Sequence, residues 1–126
     1  MENAKLIQAA MKARENAYAP YSNFKVGAAL LLENGNIVTG ANVENASYGL
    51  CICAERVAVA SAVADGCREF QAIAIVTDTL PPSAPCGACR QVLSEFSSDL
   101  PLIMSNLSGD VAQTTLGQIF PMQFRL

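Results

Sequence analysis

Histidine and tryptophan are both absent from the 126 residues of the chain. Without imidazole, a metal ion must be held by sulfur or carboxylate, and a proton shuttle must use a different side chain. Charged residues make up only 15% of the sequence and hydrophobic residues 52%, which leaves few charges for the surface of a small protein. We therefore expect part of that surface to be covered by other subunits.

Long apolar runs and basic clusters are also missing. No stretch reaches the roughly 20 apolar residues that cross a bilayer, and the first residues do not resemble a signal peptide. Eight basic and eleven acidic residues give a net charge of −3, with no run of Lys or Arg that would follow a phosphate backbone. We expect a cytoplasmic protein with reduced cysteines and without a membrane or polymeric nucleic acid as its partner.

The spacing of apolar residues and turn signals predicts a single α/β domain over residues 1–126. Asn34-Gly35 is a favoured hairpin turn between two predicted strands. A hairpin followed by strand-helix crossovers implies a mixed five-stranded sheet with helices on its faces, a three-layer α-β-α sandwich. The predicted elements are helices over 3–18, 53–66 and 88–96, strands over 26–32, 37–40, 71–77, 102–104 and 111–115, and a helical turn over 116–120.

Three of the five cysteines have the spacing of a metal site. Cys53 is followed two residues later by Glu55, and Pro85 directly precedes Cys86, with Cys89 three residues further on. Both groups lie where a loop enters a predicted helix, and a helix N-terminus favours thiolate over thiol. Three thiolates can hold one zinc ion and leave its fourth position open, as in catalytic sites. A water activated there could attack an electron-poor ring carbon while Glu55 moves protons.

The same residues have structural alternatives. Buried cysteines can simply fill a core, and an isolated Cys-x-x-Cys can be redox-active, although that leaves Cys53 and Glu55 without a role. A closed structural zinc site would need a fourth ligand, for which Cys51 is the nearest thiol, whereas Cys67 lies just beyond the predicted helix end. Glu55 in a first helical turn could also serve only to stabilise the helix dipole.

Three thiolates would give the bound zinc a formal charge of −1 and weaken it as a Lewis acid. A positive charge about 4 Å away contributes about 4 kcal/mol at an effective dielectric constant near 20. Arg56 directly follows Glu55, and we expect its guanidinium to hydrogen-bond a thiolate. Gln91 could donate to a sulfur in the same way. An exposed position for Arg56 is the alternative.

Several motifs together resemble one known family, the cytidine deaminases, and specifically their small homotetrameric branch with three cysteine ligands. The resemblance implies zinc-dependent hydrolysis of cytidine and 2′-deoxycytidine to the uridine products and ammonia in pyrimidine salvage. It also implies that zinc-bound hydroxide attacks C4 of the base while Glu55 shuttles protons, with one zinc per subunit. The motifs are Tyr-Ala-Pro-Tyr-Ser-Asn-Phe at 18–24, Val-Gly-Ala-Ala-Leu at 26–30, Gly-Ala-Asn-Val-Glu-Asn-Ala-Ser-Tyr-Gly at 40–49, Cys-Ala-Glu-Arg at 53–56 and Pro-Cys-Gly-Ala-Cys-Arg-Gln at 85–91.

The resemblance also implies substrate contacts outside the metal motif. Asn42 and Glu44 are expected to hydrogen-bond the ribose 3′-hydroxyl. Phe24 is expected to pack against the pyrimidine, and the Ala54 N–H to donate to the base carbonyl. The residues expected to contribute to a neighbouring subunit's site are Ala46, Tyr48 and Phe124.

Two other functions share part of these observations. One is deamination of a modified cytosine nucleoside such as an antibiotic, and the other is a non-enzymatic, zinc-stabilised binding module. The lack of a basic phosphate clamp favours a nucleoside over a nucleotide as the small-molecule partner. Val57 stands where the family usually has Thr, which could change hydrogen bonding around the metal without removing a ligand.

Overall fold

A mixed five-stranded sheet lies at the centre of the fold, with helices packed on both faces. The computed structural model describes residues 2–126. Along the chain the elements are α1 (Glu2–Arg14), β1 (Gly27–Leu32), β2 (Ile37–Ala41), α2 (Ala54–Ala64), β3 (Phe70–Thr77), α3 (Gly87–Phe96), β4 (Pro101–Asn106), β5 (Val111–Thr115) and α4 (Leu116–Ile119). Within the described residues, none of the helices is long and apolar enough to cross a membrane.

The strand order in the sheet is β2-β1-β3-β4-β5. β1 runs antiparallel to both β2 and β3, β3 and β4 are parallel, and β5 returns antiparallel to β4. The parallel pair needs a crossover, which α3 provides. Gly35 has φ +90° in the turn between β1 and β2, as the predicted hairpin requires. The predicted mixed five-stranded sheet with helices on its faces is confirmed.

Each face of the sheet has its own apolar core. On one face α1 packs through Leu6 and Ala10 against a group of sheet residues that includes Ala29. On the other face α2 and α3 pack against a larger group that includes Ala28 and Leu30. Neighbouring residues of β1 contribute to opposite cores, because successive side chains of a strand point to opposite faces of the sheet. The cysteines lie on this second face, because Cys53 is at the start of α2 and Cys86 and Cys89 are at the start of α3.

The largest difference from the predicted boundaries concerns the first helix, which was expected over 3–18 and ends at Arg14. Beyond it, Tyr18 forms an isolated bridge with Val43, and its N–H donates to the Asn42 carbonyl at 3.0 Å. This pairing draws residues 18–24 alongside the segment that follows β2. Loop residues expected to contact substrate are therefore neighbours although they lie about twenty residues apart.

Candidate active site and metal centre

The first turns of α2 and α3 bring three sulfur atoms together. Cys53 is the N-cap residue of α2, Cys86 is the N-cap residue of α3, and Cys89 lies in the first turn of α3. Their sulfurs lie within 4.8 Å of one another, and Cys53 Sγ and Cys86 Sγ are 3.8 Å apart. Sulfurs bonded tetrahedrally to zinc at about 2.3 Å are separated by about 3.8 Å. The arrangement fits a zinc ion.

Cys51, the candidate for a fourth thiolate, lies outside this cluster. Its sulfur accepts a hydrogen bond from the Asn45 N–H at 3.3 Å and lies 3.6 Å from the Asn45 carbonyl oxygen. Across residues 2–126, the group of side chains that could ligate a metal has three members, all of them cysteines. Three protein ligands leave the fourth tetrahedral position for water or substrate, which is typical of a catalytic zinc site.

Arg56 supplies a positive charge beside the sulfurs. Its Nη2 donates to Cys53 Sγ at 3.7 Å and to the Cys51 carbonyl at 3.4 Å. Hydrogen bonds from the Cys89 thiol and the Arg56 guanidinium lower the pKa of Cys53 to about 5. The same pairing with Cys53, together with burial, raises the pKa of Cys89. Cys53 is therefore a thiolate at neutral pH, whereas metal binding would have to displace the proton of Cys89.

Glu55 lies beside the cysteines and is almost fully buried, with 4% of its surface exposed. Burial raises the pKa of Glu55 to about 7, and the negative charge on Cys53 adds to this effect. A carboxyl group with a pKa close to the working pH can both accept and release a proton during a reaction. Its position in the first turn of α2 places it near Cys53, the N-cap residue of the same helix.

A cavity of about 260 Å³ opens next to these residues. Cys53, Cys86 and Glu55 line it together with residues from four other segments. Those segments are the loop before β1, the stretch between β2 and α2, strand β3 and the loop between β3 and α3. The additional lining residues are Phe24, Val26, Asn42, Val43, Glu44, Cys51, Ile52, Ile75, Thr77, Ser83 and Ala84.

Asn42 connects the wall of the cavity to the backbone before β1. Its Oδ1 accepts from the Val26 N–H at 2.8 Å, and its Nδ2 donates to the Phe24 carbonyl at 2.8 Å. Phe24 is held at the cavity with 38% of its surface exposed. An amide oxygen has a second lone pair and an amide nitrogen a second hydrogen, so Asn42 keeps capacity for a further partner.

Glu44 is held by the same loop. Its carboxylate accepts from the Tyr21 N–H at 2.9 Å, from the Ser22 N–H at 3.1 Å and from the Ser22 hydroxyl. These bonds, led by the one from the hydroxyl, lower the pKa of Glu44. Glu44 is therefore an anion that faces the cavity at neutral pH.

The remaining predicted site residues have different surroundings. Ala54 is buried in the first turn of α2, where backbone N–H groups have no partner within the helix. The Gln91 amide donates to the Phe124 carbonyl at 3.4 Å rather than to a sulfur. The predicted contacts to a neighbouring subunit are all exposed, and they are Ala46, Tyr48 and Phe124.

Sequence reasoning missed a group of hydroxyls in the loop before Cys86. The Thr79 hydroxyl lies 2.9 Å from that of Thr77 and 2.7 Å from that of Ser83, and both of these partners line the cavity. Asn106, fully buried at the end of β4, donates to the Thr79 carbonyl at 2.9 Å. The position of this loop, between the end of a predicted strand and Pro85-Cys86, is the signal that could have identified it.

Comparisons with known proteins agree with this geometry. The family described as "Cytidine and deoxycytidylate deaminase zinc-binding region" matches residues 1–104. Cytidine deaminase from Sporosarcina psychrophila is 51% identical over 125 residues, covering 98% of this chain and 92% of the relative. Cytidine deaminase from Halalkalibacterium halodurans is 50% identical over 125 residues, covering 98% of this chain and 95% of the relative.

A solved structure shows the same similarity in three dimensions. The crystal structure of cytidine deaminase from Burkholderia pseudomallei superposes with a TM-score of 0.95 at 56% identity, covering 98% of this chain and 100% of that one. The matched family region contains Cys53, Cys86 and Cys89, because it extends over residues 1–104. The chain belongs to the cytidine deaminase family.

Proposed function

We propose that residues 1–126 form one catalytic domain that hydrolyses cytidine and 2′-deoxycytidine to uridine and 2′-deoxyuridine, with release of ammonia, in pyrimidine salvage. The observation that carries the proposal is the buried carboxyl group of Glu55 beside three convergent thiols at one cavity. The relatives named cytidine deaminase, at 51% and 50% identity over nearly the whole chain, support the same reaction.

Cys53, Cys86 and Cys89 would hold the zinc ion, one in each subunit. The chemistry that zinc supplies when bound is Lewis-acid activation of water near neutral pH. Arg56 acts through Cys53, because a hydrogen bond to the thiolate withdraws negative charge from the metal site. This contribution offsets the electron density of an all-cysteine ligand set.

Glu55 is the proton carrier of the reaction. Its carboxylate accepts a proton from the attacking water and delivers it to N3 of the ring as the water oxygen bonds to C4. It then takes the second water proton and delivers it to the exocyclic amino group, so that the C4–N bond breaks and ammonia leaves. The burial that raises the pKa of Glu55 to about 7 suits a group that must gain and lose protons in turn.

The cavity walls orient the nucleoside. Phe24 packs against the pyrimidine, and the Ala54 N–H donates to the base carbonyl. Asn42 and Glu44 bind the ribose 3′-hydroxyl. An ionised carboxylate has about four acceptor positions, so Glu44 can accept from this hydroxyl while it holds Ser22 and Tyr21.

The functional assembly in this proposal is a cytoplasmic homotetramer with shared active sites. Exposed aromatic rings support it, since Tyr48 is 75% exposed and lies edge-on to Tyr21 at a centroid distance of 6.3 Å. Phe124 is 66% exposed in the C-terminal segment. Ala46, Tyr48 and Phe124 would complete the site of an adjacent subunit.

A substrate panel tests the proposed reaction. The purified protein is given cytidine, 2′-deoxycytidine, their monophosphates, adenosine and a cytosine-containing antibiotic nucleoside, while ultraviolet absorbance and released ammonia are followed. We expect turnover of the two simple nucleosides. Turnover of the antibiotic or a monophosphate alone would contradict the substrate assignment, and zinc binding without any turnover would favour a binding module.

A further inference from the structure

Two glycines on adjacent strands lie where a helix backbone comes unusually close to the sheet. Gly27 on β1 faces α1, and Gly40 on β2 faces α2. A methyl group at Gly40 would lie 2.4 Å from the Ala54 carbonyl oxygen and 2.5 Å from the Ala58 nitrogen. Side-chain carbons do not approach backbone atoms this closely, so any larger residue would have to displace α2.

The backbone atoms that face Gly40 belong to the part of α2 that bears the chemistry. Ala54 is the first residue of the helix and directly follows Cys53, the N-cap. Glu55 and Arg56 occupy the same turn. A contact that displaces this turn therefore displaces a metal ligand, the proton carrier and the guanidinium beside the thiolate at once.

The two cysteines at the start of α3 are not positioned by the contact between Gly40 and α2. Cys86 caps α3 and Cys89 lies in its first turn, and the three atoms nearest to a methyl at Gly40 all belong to Ala54 and Ala58 of α2. Real Cβ atoms essentially never lie closer than 3.0 Å to another atom, so β2 and the start of α2 must separate by about 0.6 Å to accommodate the methyl group. Metal–ligand distances vary by only about 0.2 Å, so such a movement separates Cys53 from its partners.

We propose that Gly40 is a positioning residue for the active site. The absence of a side chain at this position sets the distance between the first turn of α2 and the sheet. That distance aligns Cys53 and Glu55 with the cysteines of α3. The inference rests on the proposed function, since it assumes that these residues hold zinc and carry protons.

Gly27 provides a matched control. A methyl group there would lie 2.0 Å from the Ala10 carbonyl oxygen and 2.6 Å from the Arg14 nitrogen, again a carbonyl and an N–H four residues apart in one helix. The steric conflict is of the same kind, but α1 packs on the opposite face and contains no member of the thiol cluster. Substitution of either glycine disturbs the packing of a helix on the sheet, but only substitution of Gly40 disturbs the metal ligands.

The experiment compares wild type, Gly40→Ala and Gly27→Ala as purified zinc-loaded proteins. Zinc release to a chromogenic chelator is timed, the cobalt(II)-substituted forms are examined for thiolate-to-metal absorption, and the midpoint of thermal unfolding is measured. We expect both variants to unfold at lower temperature. Only Gly40→Ala should bind zinc about 10–100-fold more weakly and alter the cobalt spectrum. Equal zinc retention and spectra in the two variants would overturn the inference.

A milder pair decides the question if Gly40→Ala does not fold. Ala58 and Ala62 are both fully buried on α2, one turn apart. Ala58→Ser adds one atom to the turn that faces Gly40, and Ala62→Ser adds the same atom further from the ligands. Faster zinc release from Ala58→Ser than from Ala62→Ser supports the inference, whereas equal release rates overturn it.

Wild-type measurements separate this inference from the proposed function. If the wild-type protein holds no zinc or leaves cytidine unchanged, the proposed function fails and the inference fails with it. If the wild-type protein binds zinc and deaminates cytidine while both glycine variants retain zinc equally, only the role of Gly40 is overturned.

Discussion

The guanidinium of Arg56 donates to the sulfur of Cys53 at 3.7 Å, from the third position of the helix that Cys53 caps. This contact places a positive charge against a thiol whose pKa is lowered to about 5. At an effective dielectric constant near 20, a unit charge about 4 Å away contributes about 4 kcal/mol. Arg56 is therefore positioned to offset the excess negative charge of a three-thiolate zinc site.

Replacement of Arg56 by Gln should weaken the site without removing a ligand. We expect Arg56→Gln to bind zinc about 10–100-fold more weakly, because changes to groups that hydrogen-bond metal ligands have effects of this size. Turnover of cytidine should fall as well, since the remaining zinc is a weaker Lewis acid. Chelator competition and steady-state kinetics measure the two effects.

Arg68→Gln is the control for this change. Arg68 is exposed after the end of α2, so the substitution removes the same charge at a distance from the thiols. Zinc retention and turnover should match the wild type. An Arg56 variant that behaves like the Arg68 variant would show that the guanidinium does not act on the metal site.

Removal of zinc should destabilise the fold as well as abolish activity. The ligands come from the starts of two separate helices, so a metal ion links α2 to α3. A ligand present at about 1,000 times its dissociation constant stabilises the folded state by about 4 kcal/mol. Thermal unfolding with and without a strong chelator should show a lower midpoint in the chelator. Zinc should restore the midpoint and magnesium should not, because thiolates bind soft metals. An unchanged midpoint contradicts this prediction.

The hydroxyl of Ser22 should control the acidity of Glu44. Because it is the leading cause of the lowered pKa, Ser22→Ala should raise the pKa of Glu44. A carboxyl group with a lowered folded-state pKa contributes stability above its unfolded pKa, and this contribution is lost as the pH falls through the folded value. In the Ser22→Ala variant this loss of stability should therefore begin at a higher pH. KM for cytidine should rise over the same pH range, because protonation of Glu44 removes an acceptor for the ribose 3′-hydroxyl.

Carbon-13 NMR titration of the Glu44 carboxyl and KM measured against pH provide the two readouts. Ser108→Ala, in the exposed turn between β4 and β5, is the control and should change neither. If the Ser22 variant titrates like the wild type, the backbone N–H groups of Tyr21 and Ser22 are sufficient to hold the carboxylate.

Mixed assemblies test whether neighbouring subunits complete the site. Phe124→Ala should raise KM, and Glu55→Gln should remove proton transfer. In a mixed assembly with the proposed shared sites, one site can combine Glu55 of the Phe124→Ala chain with Phe124 of the Glu55→Gln chain. Subunits exchanged under mild denaturation should therefore show more activity than the sum of the separate variants. An additive result contradicts shared sites.

The order of elements could be predicted because apolar spacing and turn residues act locally. Asn34-Gly35 marked the hairpin, and Gly66, with φ +89°, marked the end of α2. The early end of α1 was not predicted, because residues 15–18 continue the apolar spacing. Tyr18 leaves the helix to pair with Val43, and this partner is distant in sequence.

The metal site could be predicted for a similar reason, since Cys-x-Glu and Cys-x-x-Cys are local motifs at helix starts. The hydrogen bonds that hold the surrounding loops in place could not be predicted. Ser22 meets Glu44 across 22 residues, and Asn106 reaches Thr79 across 27. Such pairs depend on which loops the sheet brings together, and neither residue has a local pattern that identifies its partner.

The most direct test of the account is zinc content and turnover of Glu55→Gln measured on the same preparation. Glutamine keeps the size of the side chain but cannot carry a proton between water and the base. We predict one zinc per chain, as in the wild type, with cytidine turnover reduced by about 10²–10⁴-fold or more, the usual contribution of a positioned acid-base group. Wild-type turnover with full zinc content would contradict the role of Glu55 as the proton carrier.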